Sequence, residues 1–278
     1  MSKKIAIVTG ASSGFGLLCA IELAKNGFEV IATMRDMSKS DHLLEKVNKE
    51  KMLDLVHLHC LDVTSAESID ELKEYLNEFP SIDVLVNNAG TAIGGFSEEI
   101  SMEDFRLQFE TNFFGVIAVT QTVLPFMRSQ RQGRIINMSS ISGKFGFPGL
   151  SPYVASKHAL EGYSESLRLE LKPFGIDVVL IEPGSYKTNI WSGVDGTERI
   201  LDSPYHAYLS VLLKEIETGK TKHGDPLEVA KLVVDIATQS KAPKLRYPIG
   251  KGVKRNLLLK KILPWKILEK VMMKKLFQ

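Results

Sequence analysis

Residues 5–33 constrain this chain most. Ile5-Ala6-Ile7-Val8 is short, apolar and β-branched, and it ends in a glycine-containing turn, so it reads as a buried strand. The turn is Thr9-Gly10-Ala11-Ser12-Ser13-Gly14-Phe15-Gly16. A helical pattern from Leu17 to Asn26 follows, Gly27 stops it, and Glu29 to Thr33 reads as a second strand. Strand, glycine-rich turn, helix and strand make a β-α-β unit. Its glycines let the backbone approach a pyrophosphate, and the helix N-terminus supplies free N–H groups and a favourable dipole. The spacing is G-x-x-x-G-x-G rather than the commoner G-x-G-x-x-G.

The alternation then repeats. Asp41–Met52 reads as a helix, Leu55–Leu61 as a strand ending in Asp62-Val63, and Ser65–Glu78 as a helix with Asp70, Glu71 and Glu74 facing solvent. Asp83–Val86 is a strand that ends in Asn87-Asn88-Ala89-Gly90. Ser101–Arg131 is a long helical region, interrupted or bent near Pro125, that contains Asn112. Arg134–Met138 is a strand leading into Ser139-Ser140. Pro152–Phe174 is a helix stopped at Gly175, and Asp177–Ile181 a strand ended by Pro183-Gly184. Strands that are nearly continuous apolar runs, alternating with helices, argue for a parallel sheet covered on both faces. Ligands of such sheets sit beyond the carboxyl ends of the strands. Every polar cluster above follows a strand, so all should converge on one edge. No linker, repeat or low-complexity segment divides the 278 residues, and a single domain is expected.

The chemistry concentrates after the fifth strand. Pro152 suits the first turn of a helix. Tyr153 and Lys157 then lie one turn apart on the same face. A neighbouring ammonium favours the phenolate, so the tyrosine pKa should fall from about 10 toward the working pH. That gives a proton donor and acceptor for an alcohol–carbonyl interconversion. Ser140 is placed to hold the substrate oxygen, with Ser139 and Ser142 as neighbours that could be mistaken for it. Tyr-x-x-x-Lys alone is weak, and its weight comes from the rest of the chain.

Thr9-Gly10-x-x-x-Gly14-x-Gly16, Asp62, Asn87-Asn88-Ala89-Gly90, Asn112, Ser140, Tyr153-x-x-x-Lys157 and Pro183-Gly184 with Thr188 occur in one order across roughly residues 4–190. In this combination the chain resembles the short-chain dehydrogenase/reductase family. Thr33-Met34-Arg35-Asp36 and Tyr247-Pro248-Ile249-Gly250 resemble its branch of steroid and retinol dehydrogenases. The resemblance implies a three-layer Rossmann-type α/β fold with a doubly wound parallel sheet, a bound nicotinamide dinucleotide and a Ser-Tyr-Lys set. Tyr153 would exchange the substrate oxygen proton, Lys157 would lower its pKa and hold the nicotinamide ribose, and Ser140 would steady the substrate oxygen. Asn112 would help hold a proton-relay water. The implied cofactor contacts are Gly10, Ser12, Ser13, Gly14, Phe15 and Gly16 at the first turn. Further along they are Arg35, Asp62, Val63, Asn88, Ala89, Gly90, Tyr153, Lys157, Pro183, Gly184 and Thr188. Asp62 would take the adenine amino group and Thr188 the carboxamide.

An acid near the end of the second strand would hold the 2′-hydroxyl of NAD, and an arginine the 2′-phosphate of NADP. Asp36 lies 20 residues past Gly16, near the generic spacing for NAD. In the family the selecting acid comes directly after the strand, where this chain has Met34, and the next residue is Arg35. Its planar donor fork suits phosphate, and the reading favours NADP(H) over NAD(H).

Past Thr188 the shared pattern stops. The family resemblance implies that residues 189–224 form a mobile lid over the substrate; they contain Trp191, Tyr205, Tyr208 and helical apolar spacing at Leu209, Leu212, Leu213 and Ile216. Bulky apolar residues there suit a large apolar alcohol or ketone, or simply pack the lid on the body. Net charge is +2, yet residues 251–278 carry nine Lys or Arg and one acid, Glu269; that is +8, leaving −6 for residues 1–250. A uniformly basic nucleic-acid binder is not expected. The tail interleaves these lysines with Leu, Ile and Trp265, and Pro264 splits it into two short helices. It reads either as helix packed on the fold or on a second subunit, or as a peripheral membrane contact. With no leader-like segment at Met1, no span-length apolar run and two lone cysteines, Cys19 and Cys60, a cytoplasmic protein is expected. The resemblance also implies a homodimer or homotetramer through the helices at 101–131 and 152–174. The competing class is a non-catalytic dinucleotide-binding sensor. Such relatives lose the tyrosine or the lysine, and this chain keeps both.

Overall fold

A computed structural model describes residues 3–188, 190, 203–220 and 223–277. Seven strands form one sheet in the order β3-β2-β1-β4-β5-β6-β7: β1 Ile5–Val8, β2 Glu29–Met34, β3 Val56–Cys60, β4 Val84–Asn87, β5 Gly133–Met138, β6 Ile176–Pro183 and β7 Arg246–Ile249. All six neighbouring pairs are parallel. All carboxyl ends therefore lie on one edge, as the distribution of polar clusters predicts.

The central strands bury both faces, which is why they read as unbroken apolar runs. On one face α1 (Gly14–Lys25) packs between the sheet and a later helix, with Leu17, Ala20, Leu23 and Ala24 buried. On the other face α3 (Ala66–Leu76), α5 (Gly115–Gln130) and α6 (Ser151–Leu171) cover a cluster built on Ile7, Leu85, Val119, Val123, Ile135 and Val178. Helix α2 (Asp41–Lys49) and α4 (Met102–Phe109) complete the first half.

Three departures from the sequence reading have physical causes. The break expected near Pro125 lies elsewhere, because α5 runs through that residue without interruption. Pro125 and Gln121 are exposed, so the carbonyl that loses its donor faces water. The real irregularity is a π-turn, Glu110–Phe114, between α4 and α5 with Asn112 at its centre. Second, β7 was not foreseen: it has four half-buried residues, one of them Pro248, at the sheet edge. Third, residues 226–238 form a helix that packs along α1. Asp225 caps it and Pro226 opens it, a start signal the sequence reading passed over.

In chain order, α7 is His206–Lys220, α8 Pro226–Thr238, α9 Val253–Ile262 and α10 Trp265–Phe277. Pro264 separates the last two, as expected. Trp191 and the side chains of Leu213 and Ile216 lie outside the described residues. Tyr205 stacks on Phe96 at 4.3 Å and donates to Glu98 Oε2 at 2.8 Å, and Tyr208 lies 5.2 Å from the Phe96 ring. The start of α7 therefore packs onto the segment that follows β4.

Candidate active site

The strand order reverses between β1 and β4, and the crevice at such a reversal is where ligands of open parallel sheets bind. The turn after β1 is held there from below. Thr9 Oγ1 accepts from the N–H groups of Asn88 and Ala89 at 2.9 Å each. Asn88 Nδ2 donates to Thr9 O at 2.9 Å and Gly10 O at 3.1 Å. Asn88, expected to touch the cofactor, spends its amide bracing the glycine turn. Two of its glycines have no room for a side chain: a Cβ on Gly16 would stand 2.2 Å from Gly10 O and 2.4 Å from Asn88 Nδ2. Gly10, at φ +68, abuts Ala89. Ser13 at the head of α1 makes no side-chain cap, so the first-turn N–H groups stay available for a ligand. Thr188, from the loop after β6, packs over Gly14. A bare cradle with open amides fits a pyrophosphate.

Around the cradle, Arg35 and Asp36 are both exposed at the end of β2. Asp36 is occupied. Its Oδ1 accepts from Ser38 N–H at 3.1 Å and Ser38 O–H at 2.6 Å, and Oδ2 pairs with Lys39 at 3.3 Å. These bonds hold its carboxyl below the usual range. The Arg35 guanidinium forms no hydrogen bond or ion pair with any described residue. Asp62 uses Oδ1 on Thr64, whose N–H and O–H donate at 2.9 and 2.7 Å. Val63 packs against Gly115, and Gly90 against Asn112 Oδ1. Pro183 is buried at the end of β6, and Gly184 donates to Ile249 O at 2.9 Å.

The Ser-Tyr-Lys set comes together at the end of β5. Tyr153 is 4% exposed and shares a hydrogen bond with Ser140, whose Oγ accepts from Ser142 N–H at 3.0 Å. Lys157 Nζ lies 5.7 Å from the Tyr153 ring centroid and donates to Met138 O at 2.7 Å. Ser139 turns away and donates to Glu161 Oε1 at 2.6 Å, so Ser140 is the serine beside the tyrosine. The electrostatics depart from the sequence reading. Burial pushes the Tyr153 hydroxyl up to about 12, with Ser140 acting against it. Burial likewise lowers Lys157 to about 8, and Glu161 opposes that. The fall expected at Tyr153 from the lysine is not found: burial raises the hydroxyl instead.

Asn112 is fully buried and saturated. Its Oδ1 accepts from Thr91 N–H at 2.9 Å, and its Nδ2 donates to Thr91 O at 2.9 Å and Ser156 Oγ at 3.3 Å. The side chain has no hydrogen left for a water. The π-turn at this residue re-registers the helix carbonyls, and the main chain is what such a turn can offer a ligand.

The sequence reading missed a buried ionic cluster behind the serine loop. Glu161 Oε2 meets Lys144 Nζ at 2.7 Å and Arg246 Nε at 2.8 Å. Glu182 Oε1 lies 3.4 Å from Arg246 Nε and 3.9 Å from Lys144 Nζ, and burial with Glu161 nearby raises it to about 7. Glu161 follows Lys157 by one helical turn, and that spacing was the available signal.

The family model for short chain dehydrogenases matches residues 4–199. The chain belongs to the short-chain dehydrogenase family. This dehydrogenase is an oxidoreductase acting on CH–OH groups with a nicotinamide dinucleotide. It is 54% identical over 280 residues to the uncharacterized oxidoreductase YusZ of Bacillus subtilis, covering all of both chains. It is 43% identical over 189 residues to a 3-ketodihydrosphingosine reductase of Bacteroides thetaiotaomicron, covering 68% of this chain and 66% of that one. A solved actinorhodin polyketide ketoreductase with NADPH is 30% identical, covers 90% of this chain and 97% of its own, and superposes with a TM-score of 0.78. The dehydrogenase thus shares its fold with solved relatives.

Proposed function

We propose that this dehydrogenase is an NADP(H)-dependent enzyme that interconverts a bulky apolar ketone or aldehyde and its alcohol. The observation that carries the reading is the buried Ser140–Tyr153–Lys157 cluster beside the glycine cradle. The nicotinamide dinucleotide, when bound, supplies or accepts the hydride. Tyr153 gives or takes the proton at the substrate oxygen, and Ser140 holds that oxygen in line. Lys157 stands beside the tyrosine ring, where its charge would favour the phenolate, and it would hold the nicotinamide ribose. Arg35 supports NADP(H), since it is uncommitted while Asp36 is spent on Ser38 and Lys39.

Residues 1–188 then serve as the cofactor-binding and catalytic core of a single domain, with residues 189–224 as lid and 251–278 as tail. Phe96, Tyr205 and Tyr208 give the lid an aromatic wall suited to an apolar substrate. The Bacteroides relative, named for a long-chain amino ketone, supports the same class. Free thiols at Cys19 and Cys60 support a cytoplasmic setting. Exposed Met102, Leu107, Phe114 and Leu169 support a homodimer or homotetramer through α4–α5 and α6.

Two measurements test the reading. Fluorescence titration should give tighter binding of NADPH than NADH, with Arg35→Ala abolishing the difference; tighter NADH binding transfers the selecting role to Asp36. Tyr153→Phe should lose turnover of apolar ketones by at least about a thousandfold while still binding NADPH. A wild-type chain that binds NADPH yet turns over no carbonyl would instead be the non-catalytic sensor.

A further inference from the structure

The C-terminal tail is fastened to the rim of the site. Val253 at the head of α9 is 2% exposed and packs against Gly184 in the loop after β6. Lys260 donates to Lys144 O and lies 5.1 Å over the Phe145 ring, in the loop that carries Ser140. Helix α10 packs against the lid helix α7. The tail thus runs from the cofactor crevice to the lid.

Its outer surface is unlike the rest of the molecule. Of twelve large apolar side chains exposed among the described residues, seven lie between Leu258 and Met273. Ile262 is 66% exposed, Trp265 58% and Val271 60%. Lys266, Lys270 and Lys274 follow one another at helical spacing along α10, and each is exposed. The whole tail holds nine cations and one acid, on a body of net −6. Exposed apolar side chains along α9 and α10, a tryptophan among them, interleaved with lysines, match an interface with apolar interior and anionic surface. A second copy of the same tail would bring another +8 against it.

We propose that α9 and α10 dock this enzyme on anionic lipid bilayers, with Ile262, Trp265 and Val271 entering the headgroup boundary. Docking there sets the lid beside the bilayer. Resting on the apolar-substrate reading, this makes the bilayer the reservoir from which substrate enters.

The test uses the full chain without cofactor or substrate, so it stands apart from the enzymatic reading. The protein is sedimented with phosphatidylcholine vesicles with and without phosphatidylglycerol, at low and high salt. It should pellet with the anionic vesicles only, and salt should release about tenfold of the affinity. The variant Ile262→Glu/Val271→Glu should lose pelleting while keeping its NADPH affinity, which shows that it is folded. Tryptophan emission should shift to the blue on anionic vesicles, and the shift should vanish in Trp265→Phe. No pelleting with anionic vesicles, or pelleting unchanged in the double variant, overturns the proposal. So does a double variant whose only change is a smaller mass in sedimentation equilibrium, since the face is then a subunit contact.

Discussion

Ser139 and Ser140 are neighbours that face opposite ways. Ser140→Ala should lower kcat for carbonyl reduction by about a hundredfold with little change in melting temperature, because its hydroxyl faces Tyr153. Ser139→Ala should do the reverse. It removes the hydroxyl donor on buried Glu161 and should cost about 1–3 kcal/mol by urea unfolding, with turnover largely kept. Glu182 gives a pH signature. Its carboxyl is raised from 4.5 to about 7 in the fold, first by burial and then by Glu161. Between those values the folded chain holds more protons than the unfolded one, so this group's stabilisation is complete at low pH and is lost as pH rises toward 7. Glu182→Gln should flatten that fall, worth about 1–3 kcal/mol, in urea midpoints measured from pH 5 to pH 8.

Elements were legible where one local rule set them. The glycine turn, the apolar strands and the proline that opens α6 each announce a backbone state, and the structure agrees to within a few residues. The π-turn at Asn112 was not legible; Asn112 bonds Thr91, 21 residues earlier in sequence, and no local rule announces that pairing. β7 is held by pairing to β6 and by burial beneath the tail, neither visible in Arg-Tyr-Pro-Ile itself. The Ser140–Tyr153–Lys157 cluster was legible as residue types, whereas its electrostatics depended on how much water burial removes. Two glycines separate local from tertiary demand. Gly162→Ala, on the exposed face of α6 with nothing within 4 Å, should stabilise the protein by about 0.5–1 kcal/mol in thermal melts. Gly16→Ala, at the floor of the cradle, should weaken NADPH binding at least about tenfold by calorimetry.

At the scale of the molecule, the glycine crevice and the loops after β4, β5 and β6 share the carboxyl edge of the sheet, while the helices 102–130 and 151–171 occupy a flank. Phe114, 50% exposed there, should matter to assembly and not to chemistry. Phe114→Glu is expected to lower the mass seen by analytical ultracentrifugation and leave NADPH affinity unchanged. The outer edge formed by β7 has its own meaning. A four-residue strand containing Pro248 offers few N–H groups and lacks one of them, so it is a poor template for another chain. Long open strand edges seed cross-β fibres when copies of a protein crowd together. Pro248 pairs inward with Glu182 and has no N–H to offer a further strand, so the sheet ends at β7 and crowded copies find no template there.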